Sequence, residues 1–181
     1  MTTDRYLPGS PDDAEMVARM IRVDQAGEYG AMRIYEGQLA VLKGQASAET
    51  IAHMAEQERR HLVAFDRLVA ERGVRPTALG PLWHVAGFAL GAATALLGEK
   101  AAMTCTSAVE EVIDEHYAEQ AARLGTVEPE LKAQIEDFRA DEAGHRQTAL
   151  DHGAEDSPAQ RLLAHGIKAA TRLAIRLSER I

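Results

Sequence analysis

The 181-residue sequence predicts an all-α fold: a four-helix bundle of two helix hairpins, with an extra apolar helix between them and an amphipathic helix at the C-terminus. Three observations carry this expectation. Hydrophobic residues make up 46% of the chain and aromatic residues only 4%, a balance that favours Ala- and Leu-rich helices over sheets. Gly44, Gly73 and Gly125 suit helix ends, and Pro11 and Pro158 suit first turns. Glu and His recur at helical spacing in two mirrored sets, the most specific signal of the three.

The punctuation places helices near 12–43, 47–73, 82–97, 99–124, 130–152 and 158–178, after an N-terminal arm at 1–11. No low-complexity linker interrupts them, so the chain reads as a single domain over 1–181. The stretch before Glu15 has neither an apolar run nor an Arg-rich pattern, which argues against a secretory signal or a presequence.

Glu58-Arg59-Arg60-His61 and Glu142-Ala143-Gly144-His145 each place a carboxylate and an imidazole three residues apart, hence on one helix face. Each follows a solitary Glu, Glu28 or Glu110, by about thirty residues. The midpoint of the first set falls at Lys43-Gly44 and that of the second at Gly125-Thr126-Val127. In an antiparallel hairpin, residues equidistant from the turn lie level, because each arm rises about 1.5 Å per residue. Each hairpin therefore brings one Glu level with one Glu-x-x-His, and the near-equal offsets between halves read as an internal repeat. Six ligands of this kind are the set of a ferritin-like di-iron bundle. Four carboxylates with two imidazoles suit iron or manganese better than magnesium or a closed zinc site, and four Glu charges balance two divalent ions.

Several neighbours are candidates for supporting roles. Asp24, one turn before Glu28, and Asp141, beside Glu142, are each placed to accept the free ring N–H of a ligand His. Tyr35 and Tyr117 each lie seven residues after a solitary Glu, as core aromatics with a paired hydroxyl or as partners of the site. His116 beside Tyr117 is a candidate proton or electron relay, or a surface residue. His53, His84, His152 and His165 lack a Glu-x-x-His context and read as structural or solvated. The one cysteine, Cys105, sits in an apolar stretch and reads as packing; it excludes a disulfide framework and a four-thiolate metal site.

Two segments point toward a membrane. From residue 76 to 98 there is no Asp, Glu, Lys or Arg; Pro81 and the short uninterrupted helix favour interfacial insertion, burial or a dimer seam over a true span. Gly87 and Gly91 form a Gly-x-x-x-Gly that permits close helix contact, and Trp83 suits a headgroup-level anchor. Residues 157–181 carry five Lys or Arg against one acidic residue, within a chain of net charge -8. Lys168, Arg172, Arg176 and Arg180 recur every four residues, so this helix either docks on the bundle or meets an anionic membrane surface. The acidic remainder argues against nucleic acid as a partner.

Beyond the metal pattern, the segments Arg22-Val-Asp-Gln-Ala-Gly-Glu-Tyr-Gly-Ala-Met-Arg-Ile-Tyr35, Val74-Arg-Pro-Thr77, Pro81-Leu-Trp83, Gly87-Phe-Ala-Leu-Gly91, Thr94-Ala-Leu-Leu-Gly98, Ala108-Val-Glu-Glu111 and Leu150-Asp-His152 closely resemble the demethoxyubiquinone hydroxylase family of ubiquinone biosynthesis. The likeness runs from about Val17 to Leu177-Ser-Glu-Arg180. The resemblance implies a membrane-associated di-iron monooxygenase that hydroxylates a prenylated demethoxyubiquinol with O2. It maps the family's iron ligands onto Glu28, Glu58, His61, Glu110, Glu142 and His145, and in the pair Glu110-Glu111 onto the first. It further implies a peripheral position on the cytoplasmic face of a bacterial inner membrane, with other ubiquinone-biosynthesis proteins as partners and oligomers as one possible state. No Gly-x-Gly-x-x-Gly is present, so electrons come from direct contact with NADH, from a reduced quinol or through a separate reductase. The alternatives are another ferritin-like di-iron oxidase or peroxidase, or a non-catalytic lipid- or quinone-binding scaffold.

Overall fold

The computed structural model describes residues 13–125 and 127–181; the expected N-terminal arm, with Pro11, lies outside them, as does Thr126. Six helices follow one another: α1 (Asp13–Leu42), α2 (Ala48–Arg72), α3 (Gly80–Leu96), α4 (Glu99–Leu124), α5 (Pro129–Asp151) and α6 (Pro158–Ser178). No strand occurs among the described residues. The expected helices are all present, and their ends shift by at most a few residues.

The stop signals act as their chemistry dictates. Gly73 takes the left-handed conformation at φ 61° and donates its N–H to Val69 O, closing α2. Gly44 at φ 86° and Gly125 at φ 51° turn the two hairpins, a backbone region that costs a side-chain-bearing residue about 1–2 kcal/mol. Pro81, Pro129 and Pro158 sit in first turns, where a missing N–H costs nothing. Ser157 and Gln160 form a reciprocal capping box at the start of α6.

Helices α1 and α2 form one hairpin, α4 and α5 the other, and the four make the bundle. Its core divides into two apolar clusters. One contains Ile21, Phe65, Val109, Ile113, Leu131 and Ile135, and the other Leu42, Ile51, Met54, Met103 and Ala149. Each of the four helices passes from one cluster to the other through a buried polar layer that holds the Glu and His residues.

Helix α3 lies on α1, and α6 lies on α4. The α1–α3 crossing is set by glycine: a Cβ on Gly87 would come 2.9 Å from Gly30 O, one on Gly91 would collide with Ile34 O, and one on Gly37 with Phe88 O. The Gly-x-x-x-Gly is therefore occupied within the chain, and a dimer seam does not need it. The outward side of α3 leaves Leu82, Val85, Leu96 and Leu97 exposed. Among the described residues no helix is long and apolar enough to cross a membrane.

The basic helix α6 is docked: Lys168 Nζ is 2.7 Å from Glu111 Oε1, Arg172 Nη2 is 2.8 Å from Glu115 Oε2, and Ala164 and Ile167 are buried. Arg176 and Arg180 have no ion pair among the described residues, while Leu162 and Leu173 are exposed. Its C-terminal end is tied to the start of α3, where Ala78 donates its N–H to Ile181 O at 3.0 Å. Cys105 is wholly buried, and burial pushes its thiol up to about 12, as packing requires of an inert cysteine.

Candidate metal centre and cavity

The polar layer collects all six residues expected from spacing. Glu28, Glu58, His61, Glu110, Glu142 and His145 are each 3% exposed or less. Their atoms fall into two groups, Glu28, Glu58, His61 and Glu142, and Glu58, Glu110, Glu142 and His145, with the ligand atoms of each group within 4.8 Å of one another. Glu58 and Glu142, the carboxylates of the two Glu-x-x-His tetrads, belong to both groups. Glu28 with His61 is peculiar to one group, and Glu110 with His145 to the other.

Both imidazoles present the same nitrogen. His61 Nδ1 lies 3.1 Å from Glu142 Oε1, and His145 Nδ1 lies 3.0 Å from Glu58 Oε1. These approaches lack hydrogen-bond geometry, so both Nδ1 atoms are left without a hydrogen-bond partner, as are both oxygens of Glu58 and Glu142 and one oxygen each of Glu28 and Glu110. Orphaned buried polar atoms cost about 1–3 kcal/mol each, more when charged. So many converging on two points fit a pair of metal ions, and the mixed oxygen and nitrogen set fits iron or manganese.

Electrostatics agree with that fit. Burial, then the neighbouring carboxylates, hold Glu58 and Glu110 well above the usual carboxylate range, and Glu142 is raised by burial against the pull of His61. Burial opposes a charge on His61, but Glu142 and Glu28 outweigh it and raise the ring to about 10. His145 moves the other way, lowered chiefly by burial. A cation at the cluster would replace the protons that crowding otherwise demands.

The outward nitrogens are held by one network. His61 Nε2 is 3.1 Å from Asp141 Oδ2, Gln57 Nε2 donates to Asp141 Oδ1 at 3.3 Å, and His145 Nε2 is 3.2 Å from Gln57 Oε1. Asp141 therefore plays the expected part. Asp24 does not: it faces His116 and Gln120 instead, because one turn back on α1 carries it away from both ligand imidazoles. Gln57 was not expected, although it stands before Glu58 as Asp141 stands before Glu142, and that parallel was available in the sequence.

Both tyrosines serve the cluster. Tyr35 Oη donates to Glu110 Oε1 at 2.7 Å, and Tyr117 Oη donates to Glu28 Oε1. Burial and the nearby carboxylates push both phenols well above their ordinary value, so each keeps its proton and acts as a donor. His116 does not touch the cluster; its Nε2 lies 2.8 Å from Gln120 Nε2. Glu111 faces Lys168 and Arg146, away from the site. His53, His152 and His165 are exposed, and His84 pairs its Nδ1 with Tyr29 Oη at 2.6 Å.

A cavity of about 180 Å³ runs between α1, α3, α4 and α6 and reaches Glu28 and Tyr117. Its wall is mainly apolar, with Ile34, Leu90, Val109, Ile113 and Ile175 among the lining residues. Gly27 and Gly30 also line it, and a Cβ at either would meet nothing within 4 Å, so they leave space rather than contact. Trp83 faces this cavity and donates Nε1 to Ser178 Oγ at 3.0 Å. That inward placement differs from the headgroup anchor expected of it, because the indole N–H finds its partner on α6.

Fold and site together define an all-α bundle with a buried carboxylate–histidine centre able to hold metal, beside an apolar cavity. The family model described as "Ubiquinone biosynthesis protein COQ7" matches residues 15–178, and the chain belongs to that family. It is 56% identical over 181 residues to the 3-demethoxyubiquinol 3-hydroxylase of Rhodospirillum rubrum, covering 99% of this chain and 85% of that protein. It is 51% identical to the human mitochondrial NADPH-dependent 3-demethoxyubiquinone 3-hydroxylase, covering 91% of this chain and 78% of the relative. To the mitochondrial 5-demethoxyubiquinone hydroxylase of Saccharomyces cerevisiae it is 40% identical, covering 95% of this chain and 81% of the relative.

Proposed function

We propose that this chain is a di-iron monooxygenase of ubiquinone biosynthesis that hydroxylates the ring of a demethoxyubiquinol with O2. The observation that carries the reading is the sharing of Glu58 and Glu142 between two ligand groups, the arrangement a two-metal centre needs. Glu28 and His61 would hold one iron and Glu110 and His145 the other. Bound there, the iron pair supplies the activation of O2 that amino-acid side chains do not provide.

The chain's own residues would supply position and dryness. Tyr35 and Tyr117 orient Glu110 and Glu28, while Asp141 and Gln57 orient the two imidazoles. The apolar cavity takes the ring beside Glu28 and keeps water from it. The prenyl tail leaves along α3, whose exposed Leu82, Val85, Leu96 and Leu97 offer an apolar face to the bilayer edge, with Arg176 and Arg180 at its anionic surface. The protein would sit peripherally on an inner membrane in this way. The human relative's name specifies NADPH dependence and the bacterial relative's name a quinol, so electrons would come from a nicotinamide or from the reduced ring itself.

The test is anaerobic loading with ferrous iron, then heavy-isotope O2 and a short-chain demethoxyubiquinol, followed by mass spectrometry. One labelled oxygen atom in the product is expected; label drawn from water would overturn the reading. In Glu142→Ala, loss of both irons and of the labelled product is expected, and two irons per chain would overturn the ligand assignment.

A further inference from the structure

Asp24 is a buried carboxylate that the metal cluster does not use. Its side chain has no exposure, and it lines the cavity one helical turn from Glu28. Gln120 Nε2 donates to Asp24 Oδ1 at 2.7 Å and also lies 2.8 Å from His116 Nε2, which fixes the carboxylate. Asp24 Oδ2 has no hydrogen-bond partner. Apart from Glu28, which belongs to the metal cluster, the wall's hydroxyls are committed: Tyr117 to Glu28, Ser178 to Trp83, and Thr171 Oγ1 to Ile167 O. A free, wholly buried acceptor therefore stands in the wall of an apolar cavity, one helical turn along α1 from Glu28.

We propose that Asp24 Oδ2 accepts a hydrogen bond from a ring hydroxyl of the substrate, so that the cavity selects the reduced quinol over the oxidised quinone. Burial raises the Asp24 carboxyl above its ordinary value against the opposing pull of His116 and Gln120; in its ionised form it accepts only, and so pairs with the O–H of a quinol and repels the carbonyl of a quinone. Gln120 and His116 set its direction. The assignment rests on the reading of this cavity as the substrate site.

Trp83, the one tryptophan of the chain, lines the cavity and reports occupancy by its fluorescence. Anaerobic, iron-loaded protein is titrated with a short-chain demethoxyubiquinol and, separately, with its quinone. The wild type is expected to favour the quinol. In Asp24→Asn, quinol affinity should fall about ten- to a hundredfold, the range for one hydrogen bond to a charged acceptor, while quinone affinity holds or rises because the amide can donate. Asp24→Ala should lose quinol affinity alone. Iron content should stay at the wild-type value in both, and Asp24→Asn, which keeps side-chain size and the Gln120 contact, carries the test if the Ala variant does not fold. An unchanged quinol-to-quinone ratio in Asp24→Asn overturns the assignment while the cavity reading stands. No Trp83 response to either ligand in the wild type overturns both.

Discussion

Tyr35 on α1 donates its hydroxyl to Glu110 on α4 at 2.7 Å, although in sequence it keeps company with Glu28. Tyr117, the mirror residue of α4, crosses back to Glu28 on α1. Each half of the internal repeat thus supports the other half's solitary Glu. Tyr35→Phe should weaken the metal position built on Glu110 and His145 by about tenfold to a hundredfold, and Tyr117→Phe the position built on Glu28 and His61. Stepwise anaerobic titration with cobalt(II), followed by its absorption spectrum, would resolve the two positions. Equal weakening of both by either variant would contradict the crossed arrangement.

The imidazoles are supported by the same crossing, with Asp141 of α5 on His61 of α2 and Gln57 of α2 on His145 of α5. Because Gln57 also donates to Asp141, it touches both arms of the network. Gln57→Leu should therefore lower the affinity of both metal positions, about tenfold or more, with the helical content of the chain preserved. Gln57→Glu restores an acceptor for His145 but sets a carboxylate against Asp141, so it should recover only the His145 position. Full recovery at both positions would show that the link between Gln57 and Asp141 carries no energy.

The helices and the six-residue cluster were legible because both obey local rules: glycine at the turns, Glu-x-x-His on one face, and equal distances from each turn. What was not legible depends on which helix faces which. The seven-residue spacing from a solitary Glu drew attention to Tyr35 and Tyr117, but spacing within a helix does not say that each hydroxyl reaches the opposite helix. Asp24 and Asp141 looked equivalent as neighbours of ligand Glu residues; the fold sends one to the cavity and the other to His61. Trp83 carried an amphipathic signal that suits a membrane edge equally well, and only the docking of α6 gives its N–H an internal partner.

Metal removal should invert the pH dependence of stability. In the metal-free fold, burial first and mutual repulsion second raise Glu58 and Glu110 well above their ordinary 4.5, and Glu142 above it too. The folded chain then holds protons that the unfolded chain releases, so stability falls as pH rises above about 5. His61 acts in the same direction between its ordinary 6.5 and about 10. His145, lowered mainly by burial, opposes this only below 6.5. Calorimetry of metal-free protein should give a lower Tm at about pH 8.5 than at about pH 6, and metal loading should raise Tm more at the higher pH, because bound cations displace those protons. A metal-free Tm that rises across this window would show that the carboxylates are already ionised in the fold.

Leu96, the last residue of α3, and Leu97, which follows it, are 75% and 73% exposed, more than Leu82 or Val85 earlier in the same segment. Burial of one such side chain is worth about 1.5–3 kcal/mol. The double change Leu96→Glu and Leu97→Glu should therefore reduce co-flotation with anionic phospholipid vesicles at least tenfold, while iron content and helicity stay as in the wild type. Raised salt should weaken the binding further through Arg176 and Arg180, whose charges are exposed. Undiminished flotation of the double variant would remove α3 from the membrane face.

Gly91 tests whether α3 is held rigidly or merely laid on the bundle. A Cβ there would collide with Ile34 O, a backbone atom that cannot swing aside as a side-chain tip can. Gly91→Ala should thus cost about 1–3 kcal/mol in spite of Ala's better helix propensity, since α3 must lift from α1. Gly166→Ala on α6, where nothing lies within 4 Å, should instead stabilise by about 0.4–1 kcal/mol. The lift has a second consequence, because Trp83, Ala86, Gly87 and Leu90 of α3 form one wall of the cavity. Gly91→Ala should therefore weaken quinol binding as well as lower Tm, whereas Gly166→Ala should leave binding unchanged. If the two variants moved Tm alike, the close α1–α3 crossing would not be what holds α3 in place.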